Sequence, residues 1–392
     1  MNLPGVIHLG TRYLARHRMK ATLLIAAISI SLFLPFAIST VVQQAETQLR
    51  ARAEVTPLIL GSKGSPLDLV FNGLYFQKPK IETIPQGAAL QLQEGRQSQV
   101  IPIYARYEAR NHRIVGTTLD YLRFRNLKIA HGRMIGRLGD CVLGSAAAEA
   151  LNLGPGDFIQ SKSEQMIDIA GVYPLNMRIT GVLAPNSSPD DHAIFCDLKT
   201  TWIIEGIAHG HQEELEEGIG KTGEDGTTQF NAALKHYQEV TDDNVDTFHF
   251  HGDPGDFPIT TAIVLPRDQK AETILLGKFV GDRKTEQLIR PRTVMIELFD
   301  TVFQIRDFVV FALAAVGIAA AIIAINVFLL SNKLRAREFE SLANIGADPI
   351  TARALILFEA TFVVASSALL AFILLMILKV VTPILLPIIM SS

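Results

Sequence analysis

Three long apolar stretches dominate the hydropathy pattern of the chain, and all lie near its two ends. They are ATLLIAAISISLFLPFAISTVV over 21–42, FVVFALAAVGIAAAIIAINVFLL over 308–330 and ALILFEATFVVASSALLAFILLMIL over 354–378. At about 1.5 Å per helical residue, each reaches across about 30 Å of hydrocarbon. The pattern therefore predicts three membrane-spanning helices. Between the first two it changes character. Short or period-two runs such as VTPLIL, VIPIYA, DCVLG, MIDIAGVY, MRITGVLA, HAIFCDL and TTAIVLP are separated by Gly, Pro, Asn and Asp, the signature of strands and turns. Helical patches such as SAAAEALNLG, with Gly154 as its expected C-terminal cap, alternate with them. An α+β domain over 43–307 is the simplest fit.

The first run is also open to reading as a cleavable signal peptide, since Arg12, Arg16, Arg18 and Lys20 precede it. Its 22 residues exceed a signal core of about 7–15, and no small-x-small cleavage site follows, so an uncleaved anchor is expected. Basic residues set the orientation. The cluster before the first span and Lys333, Arg335, Arg337 and Arg353 between the second and third all belong on the cytoplasmic side. The domain at 43–307 then lies outside.

Two stretches join that domain to the membrane. QQAETQLRARAE has high helix propensity and no breaker, which extends the first span outward as a stalk. RTVMIELFDTVFQIRD places Met295, Leu298, Phe299, Val302 and Ile305 at helical spacings leading into the second span.

Composition sharpens the picture in one place. The chain has 392 residues, a net charge of −3 and 48% hydrophobic residues, with a mean hydropathy of +0.26. Residues 205–256 hold 13 acidic side chains against Lys221 and Lys235, so this segment carries −11 and the rest +8. Such a polar, turn-rich stretch reads as a long surface insertion. The near-neutral whole gives no nucleic-acid footprint.

Candidate chemistry is sparse. EEGIGKTGEDG lacks the first glycine of a phosphate-binding loop, where Leu215 stands, and is surrounded by acids, so no nucleotide site is expected in this chain. No nucleophile elbow singles out a serine, and the chain is not read as an enzyme. His209, His211, His249 and His251 sit in HGH and HFHGD, where alternate residues of an extended segment share a face suited to zinc. A solvated acidic loop that binds no metal is the plainer reading. Cys141 and Cys196 both fall in the outer domain, where a disulfide and two buried free thiols are equally compatible with the sequence. Glu359 lies inside an apolar run, where a charge costs about 2.5–3.5 kcal/mol on insertion scales, so it is expected to face another helix or the cytoplasmic interface.

Between the second and third apolar runs lies RAREFESLANIGADPITAR, a short charged helix ending near Gly346. It is too polar to enter the bilayer and too short to fold alone. Docking on a cytoplasmic partner is its sensible use.

This stretch resembles the coupling segment R-R-x-E-I-A-x-L-[RK]-A-[LI]-G-A of the MacB, LolC/LolE and FtsX superfamily of ABC transporter permeases, matching Arg335, Arg337, Glu338, Leu342, Ile345, Gly346 and Ala347, with Glu359 in the following helix. LGTRYLARHRMKATLLIAAISIS is similar to the family's elbow helix and first span, and VGTTLDYLRFRNLKIAHGRMIGRLGDCVLGSAAAEALNLGPGDFI to a signature of its outer domain. The resemblance implies ATPase-coupling roles for Arg335, Arg337, Glu338, Glu340, Leu342 and Gly346. It implies a separate ATPase subunit that binds ATP and magnesium, a second permease copy or paralogue, and an extracytoplasmic adaptor or lipoprotein. The setting would be the inner membrane of a bacterium, with residues 1–20 as a cytoplasmic elbow and 331–353 as a cytoplasmic coupling loop. By mechanotransmission such a permease would export or extract a lipoprotein, lipid, peptide or small toxic compound. A non-transporting regulator that relays ATPase motion to an envelope enzyme is the alternative. The family usually has four spans. Here the stretch 379–392, KVVTPILLPIIMSS, is too short for a fourth and is expected as an outer tail, which implies either a three-span variant or a truncated chain.

Overall fold

The computed structural model describes residues 3–77, 81–94, 96–162, 174–209, 221–222, 228–229, 237–280, 285–344 and 349–391. It divides into two compact units, Met1–Gln48 with Phe299–Leu386, and Leu49–Leu298 with Pro387–Ser392.

The first unit is helical. An elbow helix, Leu3–Arg16, precedes the long helix Arg18–Glu54, and the helices Pro291–Leu334, Ala336–Asn344 and Pro349–Ser391 complete it. Among the described residues three helices are long and apolar enough to cross a membrane, Arg18–Glu54, Pro291–Leu334 and Ile350–Pro383. Pro35 lies inside the first of them, and in a membrane neighbouring groups can satisfy the carbonyl it frees. Residues 379–391, expected above as a tail, continue the third helix through Pro383 and Pro387. Small and hydroxylated residues mark where the spans meet. Ser29 Oγ donates to Ser367 O at 3.1 Å, and a Cβ on Gly317 would stand 3.9 Å from Ser31 Cβ. Close approach at small residues is how helices associate without a hydrophobic driving force between them.

The second unit is an α+β domain built on a mixed sheet. Its main path uses β1 (Leu58–Ser62), β2 (Ser98–Tyr104), β3 (His112–Thr117), β4 (Asp140–Leu143), β5 (Leu175–Leu183), β6 (Ile194–Asp197), β7 (Gln238–Glu239), β8 (Thr261–Pro266) and β9 (Glu286–Ile289). Across the sheet they run β7-β5-β4-β6-β3-β2-β8-β1-β9. The β7–β5, β5–β4 and β6–β3 pairs are parallel, and β4–β6, β3–β2, β2–β8, β8–β1 and β1–β9 are antiparallel.

Both faces of this sheet are covered, which is why its strands read as short apolar runs rather than clean alternations. Val100, Tyr104, Cys141, Leu143, Ile194, Cys196, Ala262 and Val264 point into one core, against Leu198 and Trp202 of helix Leu198–Glu205. Ile101, Ile103, Val142, Phe195 and Ile263 point into the other, against Tyr121 and Leu122 of helix Leu119–Phe124.

One local detail differs from the expectation. The helix Ser145–Leu151 is closed by Asn152 in the left-handed conformation (φ 52°), not by Gly154, because the Asn side chain tolerates that backbone region. Of the acidic segment, parts among the described residues are joined to the rest of the domain. Ala208–His209 pairs with His249–Phe250, β7 joins the main sheet, and the Glu205 carboxylate accepts hydrogen bonds from the Tyr104 and Tyr107 hydroxyls.

Candidate functional site

The charged segment between the second and third long helices is organised around Arg335. Helix Pro291–Leu334 ends immediately before it and helix Ala336–Asn344 begins immediately after. The break turns the Arg335 side chain inward, where it is only 8% exposed. Its Nη1 donates to both oxygens of Glu359, at 2.9 and 3.1 Å. The guanidinium lies 3.6 Å from the centre of the Tyr13 ring and 5.0 Å from that of Phe339. Tyr13 Oη is in turn 3.4 Å from Ser331 Oγ. Glu359 is 3% exposed, so the acid that the sequence left without a partner is neutralised by a cation 24 positions earlier.

The elbow helix reaches this node through a close approach. A Cβ on Gly10 would stand 2.4 Å from Phe358 Cδ1 and 3.5 Å from Leu355 Cδ1. Glycine therefore lets the elbow lie against the third span one turn from Tyr13, and Val6, a turn earlier, is buried as well. One charged side chain thus joins the elbow helix, the turn between the second and third spans, and the third span. Arginine suits the role because its planar cation can stack on a ring while its N–H groups hold a carboxylate.

The opposite face of helix Ala336–Asn344 is exposed. Arg337, Glu340, Ser341 and Asn344 are exposed and recur at three- and four-residue spacings, while Phe339 is half-buried on the side of Arg335. Arg335, grouped with Arg337 in the sequence analysis, is therefore separated from it by the fold. Two helical steps turn a side chain by about 200°, and Arg335, at the break before the helix, is the one drawn inward by Glu359. Glu338 and Leu342 lie on the same helix, and Gly346 falls outside the described residues.

The histidines are brought together in part. His209 and His249 are register partners, and the rings of His249 and His251 lie 4.6 Å apart. His211 is outside the described residues. Among the described residues no group of three or more His, Cys, Asp or Glu side chains could hold a metal ion.

A second polar centre, in the outer domain, was missed by sequence reasoning. The last turn of helix Arg18–Glu54 carries Arg52, whose Nη1 and Nη2 donate to Asp190 Oδ2 and Oδ1 at 2.7 and 2.8 Å. The Tyr121 hydroxyl donates to Asp190 Oδ1 at 2.7 Å. Burial alone would raise the Asp190 carboxyl, but the Arg52 charge and these hydrogen bonds outweigh it and hold the group below its ordinary value. The same burial pushes the Tyr121 phenol up. Only the apolar surroundings of Arg52 in the fold reveal this role, since RARAE alone reads as a solvated helix end.

These features define an α+β domain joined to three helices long and apolar enough to cross a membrane, with a short polar helix between the second and third of them. A family model described as the MacB-like periplasmic core domain matches residues 21–236, more than half of the chain, and the chain belongs to that family. It is accordingly a permease of the MacB/FtsX-like ABC transporter superfamily, a membrane protein with an extracytoplasmic domain, and membership implies a partner ATPase. Two solved structures are similar to it. One is the periplasmic region of MacB from Actinobacillus actinomycetemcomitans, with 14% identity over 62% of this chain and 92% of that chain and a TM-score of 0.34. The other is the extracellular domain of the noncanonic ABC-type transporter YknZ from Gram-positive bacteria, with 11% identity over 59% and 98% and a TM-score of 0.31. No curated protein matches the chain.

Proposed function

We propose that this chain is the transmembrane subunit of an ABC system that works by mechanotransmission on an envelope substrate. In this reading ATP and magnesium are bound and turned over by a separate cytoplasmic subunit, and the permease itself performs no chemistry. It sits in the inner membrane with its N-terminus and its coupling helix in the cytoplasm, works with a second permease copy or paralogue, and meets an adaptor or lipoprotein outside.

The observation that carries this reading is the Arg335 node. A push on the exposed Arg337/Glu340 face displaces a helix whose first turn is fastened, through Arg335, to both the elbow and the third span. A docking helix on a loose loop would absorb that push. Here it moves the spans.

Charge reversal at that face tests the proposal. Arg337→Glu with Glu340→Lys places like charges against a surface complementary to the native pair, at a cost of about 2–5 kcal/mol if the contacts are desolvated. At about 1.4 kcal/mol per decade, affinity for the ATPase falls at least tenfold. Copurification with the ATPase and stimulation of its turnover should fall together. Glu149→Lys, on the exposed surface of the outer domain, should change neither. A doubly reversed chain that binds and stimulates its ATPase normally would make this helix a mere connector.

A further inference from the structure

Cys141 on β4 and Cys196 on β6 are the only cysteines in the chain. They are also direct register partners across the antiparallel β4–β6 pair. The kind of pair they form follows from the ladder. Gly144 N donates to Ala193 O at 2.8 Å, one step beyond the Leu143–Ile194 partners. Hydrogen-bonded and non-hydrogen-bonded pairs alternate along an antiparallel ladder, so Leu143–Ile194 is non-hydrogen-bonded, Val142–Phe195 hydrogen-bonded, and Cys141–Cys196 non-hydrogen-bonded. At such a pair the Cα atoms are about 4.5 Å apart and the side chains at their closest. That separation lies at the near end of the roughly 4.4–6.8 Å window in which two cysteines can be bridged. Both side chains are fully buried, both enter the same core, and both are free thiols in this structure.

We propose that Cys141 and Cys196 form a disulfide across the β4–β6 pair when the domain folds in an oxidising extracytoplasmic compartment. Two S–H bonds are broken and one S–S bond forms. The two electrons and, in net, the two protons pass to the disulfide of an oxidant, a protein or a small molecule, whose S–S bond breaks and which is released as two thiols. The exchange belongs to folding rather than to the finished domain. Burial raises both thiols well above their ordinary values, so in the closed fold they are protonated, screened from the oxidant and inert.

The position gives the bond a purpose. β4 and β6 are joined by three residue pairs only, and in the strand order this is the join between β7-β5-β4 and β6-β3-β2-β8-β1-β9. A bond there fastens the two parts of the sheet at a short junction and closes a loop of about 55 residues, which restricts the unfolded chain. It would make the outer domain one mechanical body.

The test uses the full-length chain expressed in its own envelope. Cells are quenched in denaturing acid with a small maleimide so that any free thiol is capped, then the chain is reduced and labelled with a heavy maleimide. The expected result is a monomer on a non-reducing gel in which both cysteines take the heavy label only after reduction. Cys141→Ser and Cys196→Ser should each leave the remaining thiol capped in the first step. Reductant should also lower the melting temperature of the purified wild-type chain by several degrees, a readout that needs no variant to fold. Two thiols capped before reduction would overturn the proposal, as would a dimer that reduction collapses.

Discussion

Replacing Arg52 by methionine tests the outer domain at its most committed point. The Asp190 side chain is fully buried and that of Arg52 is 8% exposed, so no water screens the pair. Removing one partner of such a pair typically costs about 3–5 kcal/mol, because the other charge is left in a medium that cannot solvate it. Asp190 would keep the Tyr121 hydroxyl at 2.7 Å and the Ser188 hydroxyl at 3.0 Å, which places the expected loss near the lower end, about 3 kcal/mol. At roughly 2–4 °C per kcal/mol for a domain of this size, the melting temperature falls by about 6–12 °C. Trp202, the single tryptophan, is buried in this domain with its indole N–H on Pro258 O at 2.8 Å, so its fluorescence follows the transition in detergent. Arg52→Met with Asp190→Leu should recover much of the loss, since an apolar pair of similar volume replaces the charges. The pH dependence has a definite sign. Because the Asp190 carboxyl is held below its ordinary value in the fold, its contribution is present above the ordinary carboxylate range near pH 4 and lost as pH falls through the folded value. Without Arg52 burial is less opposed and raises that carboxyl, so this acid-induced loss should shrink or reverse. A single variant melting within about a degree of wild type, or a double variant no better than the single, would refute the reasoning.

Three further outcomes are expected. Gly144→Ala should destabilise the outer domain by about 1–3 kcal/mol in the same fluorescence melt, because its Cβ would meet the carbonyl oxygens of Asp190 and Asp191 at 2.3 Å, and backbone cannot move aside as a side-chain tip can. Glu359→Leu should leave Arg335 buried without its carboxylate and lower ATPase stimulation, and Glu359→Gln, which can still accept from the guanidinium, should do so less. A reporter active only outside the cytoplasm should work when fused after Asp256 and fail when fused after Asp348; the reverse would overturn the orientation read from the basic residues.

The elements that proved legible were those whose residues report a single environment. The three apolar runs fall within the long helices, and VIPIYA, DCVLG, MRITGVLA, HAIFCDL and TTAIVLP coincide with β2, β4, β5, β6 and β8. MIDIAGVY lies outside the described residues. β9 escaped because EQLI carries only two apolar residues in four; it is a strand because β1 offers an edge to pair with. The site was legible by element but not by direction. That Glu359 needs a partner follows from its surroundings, yet Lys333, Arg335, Arg337 and Arg353 are all candidates until the break after Leu334 fixes which one points inward. Tyr13 carries no signal at all, since its role depends on a helix some 320 positions away.

The order of strands has a consequence for synthesis. β1 is the first strand of the outer domain to emerge, and its neighbours are β8 and β9, which follow about 200 residues later. At a translation rate of about 5–20 residues per second, β1 waits roughly 10–40 s for its first partner. Throughout that interval Leu58, Ile59 and Leu60, fully buried in the finished domain, are exposed on an unpaired strand already tethered to the bilayer, the kind of edge on which nascent chains aggregate. Pairings so distant in sequence also slow folding once the chain is complete. The nascent domain thus depends on whatever shields apolar segments on that side of the membrane, and shortage of such a holdase should lower the yield of this chain well before it affects any molecule already folded.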